Sequence, residues 1–214
     1  METILYERRL SMAEFPKEDR VYSINSKDQR AVTKFLYSFN YCFNNTITES
    51  FENIVLLCIG TDRSTGDCLG PLVGHKLYKN QYNNTHIVGT LDNPTHAKNL
   101  ENNIKIIEEE IPNPFIIALD ACLGKFDNIG HINLGPGPLK PGAGVNKPLP
   151  WVGNMYIKGI VNVGGFMEHK ILQNTRLSLV MTLADIIAAG LHRHFQVINT
   201  GFRSKDVAIG SSRE

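Results

Sequence analysis

Two aspartates, each close to the end of an apolar run, are the residues whose type and position best suit chemistry. Asp67 lies on a glycine-punctuated loop that follows the run 54–58, and Asp120 directly follows the run 115–119. Each run has the length and composition of a buried strand. If the two strands are neighbours in a parallel sheet, about 5 Å apart, both carboxylates face one cleft. Two close carboxylates repel, so one pKa rises and the other falls, which gives a general acid and a general base.

Further polar side chains lie beside Asp67 on the loop 60–70. The binding residues predicted there are Asp62, Arg63, Ser64 and Thr65. The loop has neither the GxxxxGK[ST] nor the GxGxxG spacing of nucleotide-binding loops, and it places acids where an anion would lie. A nucleotide site is therefore not indicated. His169, beyond the Gly164-Gly165 turn, is predicted to enter the same cleft.

Each aspartate also has a purely structural interpretation. Asp67 would cap the helix that follows it and complement the helix dipole. Asp62 would be a turn residue paired with Arg63, and Asp120 would be bonded to backbone amides. The occurrence of Asp67 and Asp120 after two separate strands favours the functional interpretation.

Cys68 and Cys122 each lie within two residues of a candidate aspartate. A cysteine nucleophile or a mixed Asp/Cys metal site therefore stays open, although no nearby histidine in the sequence supplies a base or a further ligand. None of the four cysteines forms a CxxC pair, and we expect reduced thiols.

The elements that must position these residues alternate along the chain. Apolar periodicity predicts helices over 27–43, 70–80, 95–110 and about 179–195. Strands are predicted near 54–59, 86–90, 115–119, 131–134, 156–163 and, as a last edge strand, 196–199. This order indicates an α/β fold, namely a three-layer α/β/α sandwich with a mostly parallel sheet. Residues 1–26 have no clear period and are predicted to be an N-terminal arm, with 27–214 as a single α/β domain.

A proline-rich segment separates the fourth and fifth of these strands. Half of the ten prolines fall between residues 136 and 150. A loop this long is typical of a substrate-binding wall or lid, or of a rigid surface connection. Trp151, the single tryptophan, closes the loop and is interpreted as a hydrophobic anchor.

Composition excludes several classes of function. A net charge of +1 over 214 residues gives no electrostatic case for binding nucleic acid or a membrane surface. No apolar run approaches the roughly 18 residues of a membrane span, and the charged N-terminus does not resemble a signal peptide. We expect a cytoplasmic protein.

The motifs resemble a known family. The run GTDRSTGDCLGPLVG at 60–74 is similar to the hallmark segment of the YyaC family of sporulation proteins from spore-forming Firmicutes, and LDACLG at 119–124 and PGAGVNK at 141–147 fit the same family. The resemblance covers roughly residues 50–195. That family is distantly similar to the germination protease, which degrades small acid-soluble spore proteins, and to the endopeptidases that mature nickel-iron hydrogenases.

This resemblance implies a phosphorylase/hydrolase-like fold of the hydrogenase-maturation-protease type. It also implies an atypical aspartic peptidase in which Asp67 and Asp120 are catalytic. The substrate would be a protein or peptide, such as a small acid-soluble spore protein, in a sporulating cell or spore. A non-catalytic spore protein that keeps the fold to bind a peptide or partner is the alternative, and a metal-assisted hydrolase is a third. A homodimer would also fit an apolar edge strand or helix.

The hydrogenase peptidases hold nickel with acids at these two positions and a histidine before the last long helix. Here Thr175 and Arg176 stand near that place, so the third ligand is missing unless His169 replaces it. The resemblance therefore implies no resident cofactor, and two carboxylates alone would hold a divalent cation only weakly.

Overall fold

The structure is a computed structural model that describes residues 21–47, 51–142 and 149–210, with side chains as far as residue 198. Its six strands are β1 (Tyr22–Asn25), β2 (Asn53–Cys58), β3 (Thr85–Val88), β4 (Pro114–Gly124), β5 (His131–Pro136) and β6 (Met155–Val163). Its five helices are α1 (Ala31–Thr46), α2 (Leu69–Leu77), α3 (Leu100–Glu110), α4 (Glu168–Gln173) and α5 (Leu177–Gly210). The mixed α/β class predicted from the sequence is confirmed.

All six strands form one sheet in the order β1-β5-β6-β4-β2-β3. Strands β3, β2, β4 and β6 pair in parallel, whereas β5 runs antiparallel to β6, and β1 runs antiparallel to β5. The sheet is thus mostly parallel, as predicted. Because β2 and β4 are direct neighbours, the two segments that carry the candidate aspartates end at the same edge of the sheet.

Helices cover both faces of the sheet. Successive residues of β2 alternate between two apolar clusters: Leu56 packs with α1, α2 and α5, whereas Leu57 packs with Leu100 and Ile107 of α3. Burial on both faces explains why β2 is a continuous apolar run rather than an alternating one.

The helices bury single apolar stripes. In α1 the rings of Phe35, Phe39 and Phe43 recur every four residues and stack along one face, with centroids 5.9 and 5.8 Å apart. The α5 face carries Leu183, Ile187 and Leu191, which are fully buried. Among the described residues, no helix has the length and apolarity required to cross a membrane.

Two predicted boundaries were wrong. Residues 22–25 are predicted to belong to the arm, but they form β1, which pairs with β5 through Ile24 and Ile132. Residues 1–20 lie outside the described residues, so the rest of the arm stays a prediction. The predicted edge strand at 196–199 is part of α5, which continues without a break to Gly210.

Two loops also differ from expectation. The segment 95–99 is not helical: Thr95 forms a parallel bridge with Ile59, and α3 begins only at Leu100. Trp151 is 64% exposed and is not a buried anchor. The buried residues that hold the proline-rich loop are Leu139 and Val152, which pair with each other across an antiparallel bridge.

Candidate functional site

The site is built where β2 and β4 reach the same edge of the sheet. Asp67 lies in the 3-10 turn Thr65–Cys68, which links β2 to α2. Asp120 lies inside β4, not directly after a strand as predicted, because β4 continues to pair with β6 as far as Gly124. Its side chain is 5% exposed, whereas Asp67 is half-buried.

Both carboxyls have raised pKa values, whereas the sequence analysis predicted one raised and one lowered pKa. Burial raises the pKa of Asp67 to about 7, and the nearby Thr61 backbone N–H offsets part of that rise. Burial raises the pKa of Asp120 well above its usual value, and the negative charge of Asp67 raises it further. Asp120 therefore holds its proton more strongly than an ordinary aspartic acid, whereas Asp67 ionises close to pH 7.

Backbone donors fix the Asp120 carboxyl. The Ala121 N–H donates to Asp120 Oδ1 at 2.8 Å. The Gly142 N–H also hydrogen-bonds the carboxyl and lowers its pKa, against the larger effect of burial. The bond to Gly142 shows that the proline-rich loop lies against the site. Residues 143–148, the rest of that loop's glycine-containing stretch, lie outside the described residues.

The glycines around Asp67 are required by close backbone contacts. Gly60 has φ +139°, and a β-carbon there would lie 2.0 Å from the Asp67 carbonyl oxygen. A β-carbon on Gly70 would lie 2.1 Å from the Ile59 carbonyl oxygen. The turn is closed by the Thr61 N–H, which donates to the Asp67 carbonyl oxygen at 3.0 Å. These glycines hold the Asp67 turn against β2.

The predicted binding residues on the loop are unevenly exposed. Asp62 and Arg63 are exposed, and Thr65 is half-buried. Ser64 is half-buried, and its Oγ is enclosed without a hydrogen-bond partner in the described part of the chain. Within that part of the chain, no ion pair joins Asp62 to Arg63.

The structural interpretation of Asp67 as a helix cap is not observed. The N-cap of α2 is Cys68, the N-cap of the 3-10 turn is Ser64, and neither end has a side-chain capping bond. Asp67 does lie in the first turn of the 3-10 helix, where its charge complements the backbone dipole, and the Thr61 N–H lies close to its carboxyl.

The thiols beside the aspartates are not activated. Burial raises the pKa of Cys68 and of Cys122 to about 11 in each case, and the neighbouring aspartates contribute to both rises. Cys68 Sγ contacts the Thr65 carbonyl oxygen at 3.0 Å. A thiol with a raised pKa is a poor nucleophile, so the structure favours the carboxylates over the cysteines.

Residues 23–190 match the family described as "Protein of unknown function (DUF1256)". The chain belongs to the DUF1256 family. It is also 58% identical over 138 residues to the Bacillus subtilis (strain 168) protein titled "Uncharacterized protein YyaC", which covers 64% of this chain and 67% of that relative. The YyaC-like family membership expected from the motifs is confirmed, and the relationship to peptidases stays a prediction.

The donors of this DUF1256 chain do not fit the nickel site of the hydrogenase peptidases. Thr175, near the place of the missing histidine, is buried, donates its hydroxyl to the Ile171 carbonyl oxygen and accepts from Asn162 Nδ2. His169 lies exposed on α4. Within the described residues, no group of three or more His, Cys, Asp or Glu side chains is arranged to hold a metal ion.

The sequence reasoning missed Lys158. It lies on β6 as the direct partner of Asp120 on β4, and its positive charge lowers the pKa of Asp120 against the larger effect of burial. Only the strand register brings the two residues together, and no motif marks it in the sequence. The bond from Gly142 has no sequence mark either, because the loop that carries Gly142 reaches the site only through tertiary packing.

Proposed function

We propose that the chain is a peptidase in which Asp67 and Asp120 act together on a peptide bond. The observation that carries this proposal is the pair of coupled carboxyls at one edge of the sheet. One has a pKa of about 7, and the other, which is buried, has a pKa well above its usual value. A base must ionise near the working pH and an acid must still hold its proton there.

The roles follow from the two environments. Asp67, the more accessible carboxylate, takes a proton from the attacking water. Asp120, whose raised pKa favours the protonated form and whose carboxyl accepts hydrogen bonds from backbone N–H groups, gives its proton to the leaving amide nitrogen. Arg63, Ser64 and Thr65 precede Asp67 on the same loop and are exposed or half-buried, so a bound chain would pass beside them.

The finer fold assignment belongs to the same proposal. A mostly parallel sheet with helices on both faces, and with acids where β2 and β4 meet, supports a hydrogenase-maturation-protease-like sandwich. In such a fold the site lies beyond the carboxyl ends of the strands, which is where Asp67 lies. The substrate we propose is an unfolded or extended protein, with small acid-soluble spore proteins as the first to test.

The experiment is the cleavage of purified small acid-soluble spore proteins by the wild type, by Asp67→Asn and by Asp120→Asn, each with and without a chelator. We expect wild-type cleavage that survives chelation and is lost in both variants. Cleavage abolished by the chelator would favour the metal-assisted hydrolase. Binding of the same proteins without cleavage by any form would favour the non-catalytic spore protein.

A further inference from the structure

A row of polar side chains crosses the sheet at the level of Asp120. Lys158 on β6 pairs directly with Asp120 on one side and with Asn133 of β5 on the other. Direct partners in a sheet project from the same face, with β-carbons about 5 Å apart. The Lys158 side chain therefore stands between Asp120 and Asn133.

Two polar groups in this row have no hydrogen-bond or ion-pair partner among the described residues. Lys158 Nζ lies 5.0 Å from the centroid of the Tyr156 ring, and within the described residues no carboxylate forms an ion pair with it. Asn133 Oδ1 is buried and has no hydrogen-bond partner there. A buried polar atom left unbonded costs free energy, so a bound group is expected between these side chains.

The chemistry of the row points to a negatively charged occupant. The Lys158 ammonium has three donors and no acceptor. The Asn133 amide, turned over by 180°, directs its NH2 group to the same place, since amide oxygen and nitrogen exchange positions without a change of shape. In the described part of the chain, Asp120 forms no ion pair with Lys158, and burial raises the pKa of Asp120, which favours its uncharged form.

Resting on the peptidase function proposed above, we propose that Lys158 and Asn133 form an oxyanion-binding subsite beside Asp120. The group it receives is the carbonyl oxygen of the peptide bond under attack. As water adds to the carbonyl carbon, Asp67 takes the water proton and the C=O π pair moves onto the oxygen. Lys158 stabilises that oxyanion. When the pair returns to re-form the carbonyl, the C–N bond breaks and the nitrogen takes the proton of Asp120.

The subsite can be tested without turnover. The probes are dimethylphosphinate, a tetrahedral monoanion, and dimethyl sulfone, its neutral isostere, titrated by NMR into the labelled full chain near pH 6, where most Asp67 is protonated. The signals followed are the Lys158 ε-methylene group and the Asn133 side-chain amide. We expect the anion to bind about tenfold more tightly than the sulfone, because hydrogen bonds to charged groups are the stronger class.

Three variants make the test specific. Lys158→Met should lose that preference, and Lys158→Arg should keep part of it. Lys125→Met removes an exposed lysine near the same end of β4 and should behave as the wild type. Equal binding of the two probes, no saturable binding, or an unchanged preference in Lys158→Met would overturn the subsite. Amide signals and thermal unfolding of each variant establish that it is folded.

A kinetic arm separates this proposal from the peptidase proposal. Where the wild type cleaves, Lys158→Met should lower kcat by about 10²-fold with little change in KM, as for loss of an oxyanion donor. If Lys158→Met cleaves with the wild-type kcat, the subsite proposal is wrong and the peptidase proposal still stands. The wild type could instead bind dimethylphosphinate in a Lys158-dependent way and yet cleave no protein. That result would support the anion site and contradict the peptidase proposal.

Discussion

The buried carboxyl of Asp120 lies within electrostatic range of Asp67, so that burial first, and then the charge of Asp67, raises its pKa. The two residues come from different strands, and only the parallel pairing of β2 with β4 brings them together. The two carboxyls of such a pair lose their protons at different pH values. Between those pH values one carboxyl can act as the base and the other as the acid, as general acid–base catalysis requires.

The pair predicts a bell-shaped pH dependence of kcat/KM. The rate should rise through about pH 7 as Asp67 loses its proton, and it should fall at higher pH as Asp120 loses its own. Initial rates on a spore-protein substrate between pH 5 and pH 10 measure this. A profile flat from pH 6 to pH 8 would contradict the assignment of Asp67 as the base.

The same carboxyls make the folded state less stable as the pH rises above about 4. Both folded-state pKa values lie above the unfolded value of 3.8, so the folded state binds more protons. The stability that the two carboxyls contribute is fully present below about pH 4 and is lost as the pH rises through the folded pKa values. Each unit by which a folded pKa exceeds the unfolded pKa corresponds to about 1.4 kcal/mol of this stability. In Asp67→Asn the loss of stability between pH 5 and pH 8 should be smaller than in the wild type. Urea unfolding at the two pH values measures it, and an equal loss in both proteins would refute the raised pKa of Asp67.

The cysteines beside the site should be slow to react. With pKa values of about 11, Cys68 and Cys122 carry little thiolate at pH 8. Iodoacetamide should alkylate each of them about 100-fold more slowly than in the urea-unfolded chain, followed residue by residue by mass spectrometry. Rapid alkylation of Cys122 in the native protein would support the hypothesis of a cysteine nucleophile. Cys122→Ser would then be expected to abolish cleavage.

The sequence predicted the parts of the fold that carry strong local signals. The continuous apolar runs marked β2 and β4, and their adjacency brought Asp67 and Asp120 to one place. The strand β1 was missed because four residues with one buried side chain, Ile24, carry almost no periodic signal. It is the pairing with β5 that makes this segment a strand.

The register of the sheet could not be predicted from the sequence. Lys158 lies in a strand whose position relative to β4 depends on tertiary pairing, so its place beside Asp120 had no local mark. The segment 196–199 was predicted to be an edge strand, although the helix α5 simply continues through it. In each case a long-range contact or an existing helix overrode the local pattern.

His194 should make the packing of α1 on α5 sensitive to acid. Its Nδ1 lies 2.6 Å from Asn40 Oδ1, its Nε2 is buried without a partner in the described residues, and its ring meets Phe39 and Phe43 edge-on. Burial lowers the pKa of His194 from 6.5 to about 4. Because the unfolded state binds the proton more readily, stability should fall as the pH drops from 6.5 towards 4, by about 2 kcal/mol at pH 5.

The variant His194→Phe removes the titrating group. It should lose much less stability than the wild type between pH 7 and pH 5, measured by urea unfolding, although it leaves Asn40 without this partner and costs about 1 kcal/mol at pH 7. His169→Phe, at an exposed position, is the matched control and should keep the acid sensitivity. An acid response retained in His194→Phe would assign it to other groups.

Gly60 should be the least replaceable glycine of the Asp67 turn. An added β-carbon would lie 2.0 Å from the Asp67 carbonyl oxygen, where the backbone has no room to move without breaking the bond from Thr61. We expect Gly60→Ala to lose more than about 2 kcal/mol of stability and to abolish cleavage, since the turn that holds Asp67 must shift. Gly165→Ala is the matched control: its φ of +149° is close to the +139° of Gly60, but nothing lies within 4 Å of its added β-carbon. Thermal unfolding of both variants separates the two causes, because backbone strain alone would destabilise them equally, whereas the clash with Asp67 would destabilise Gly60→Ala far more.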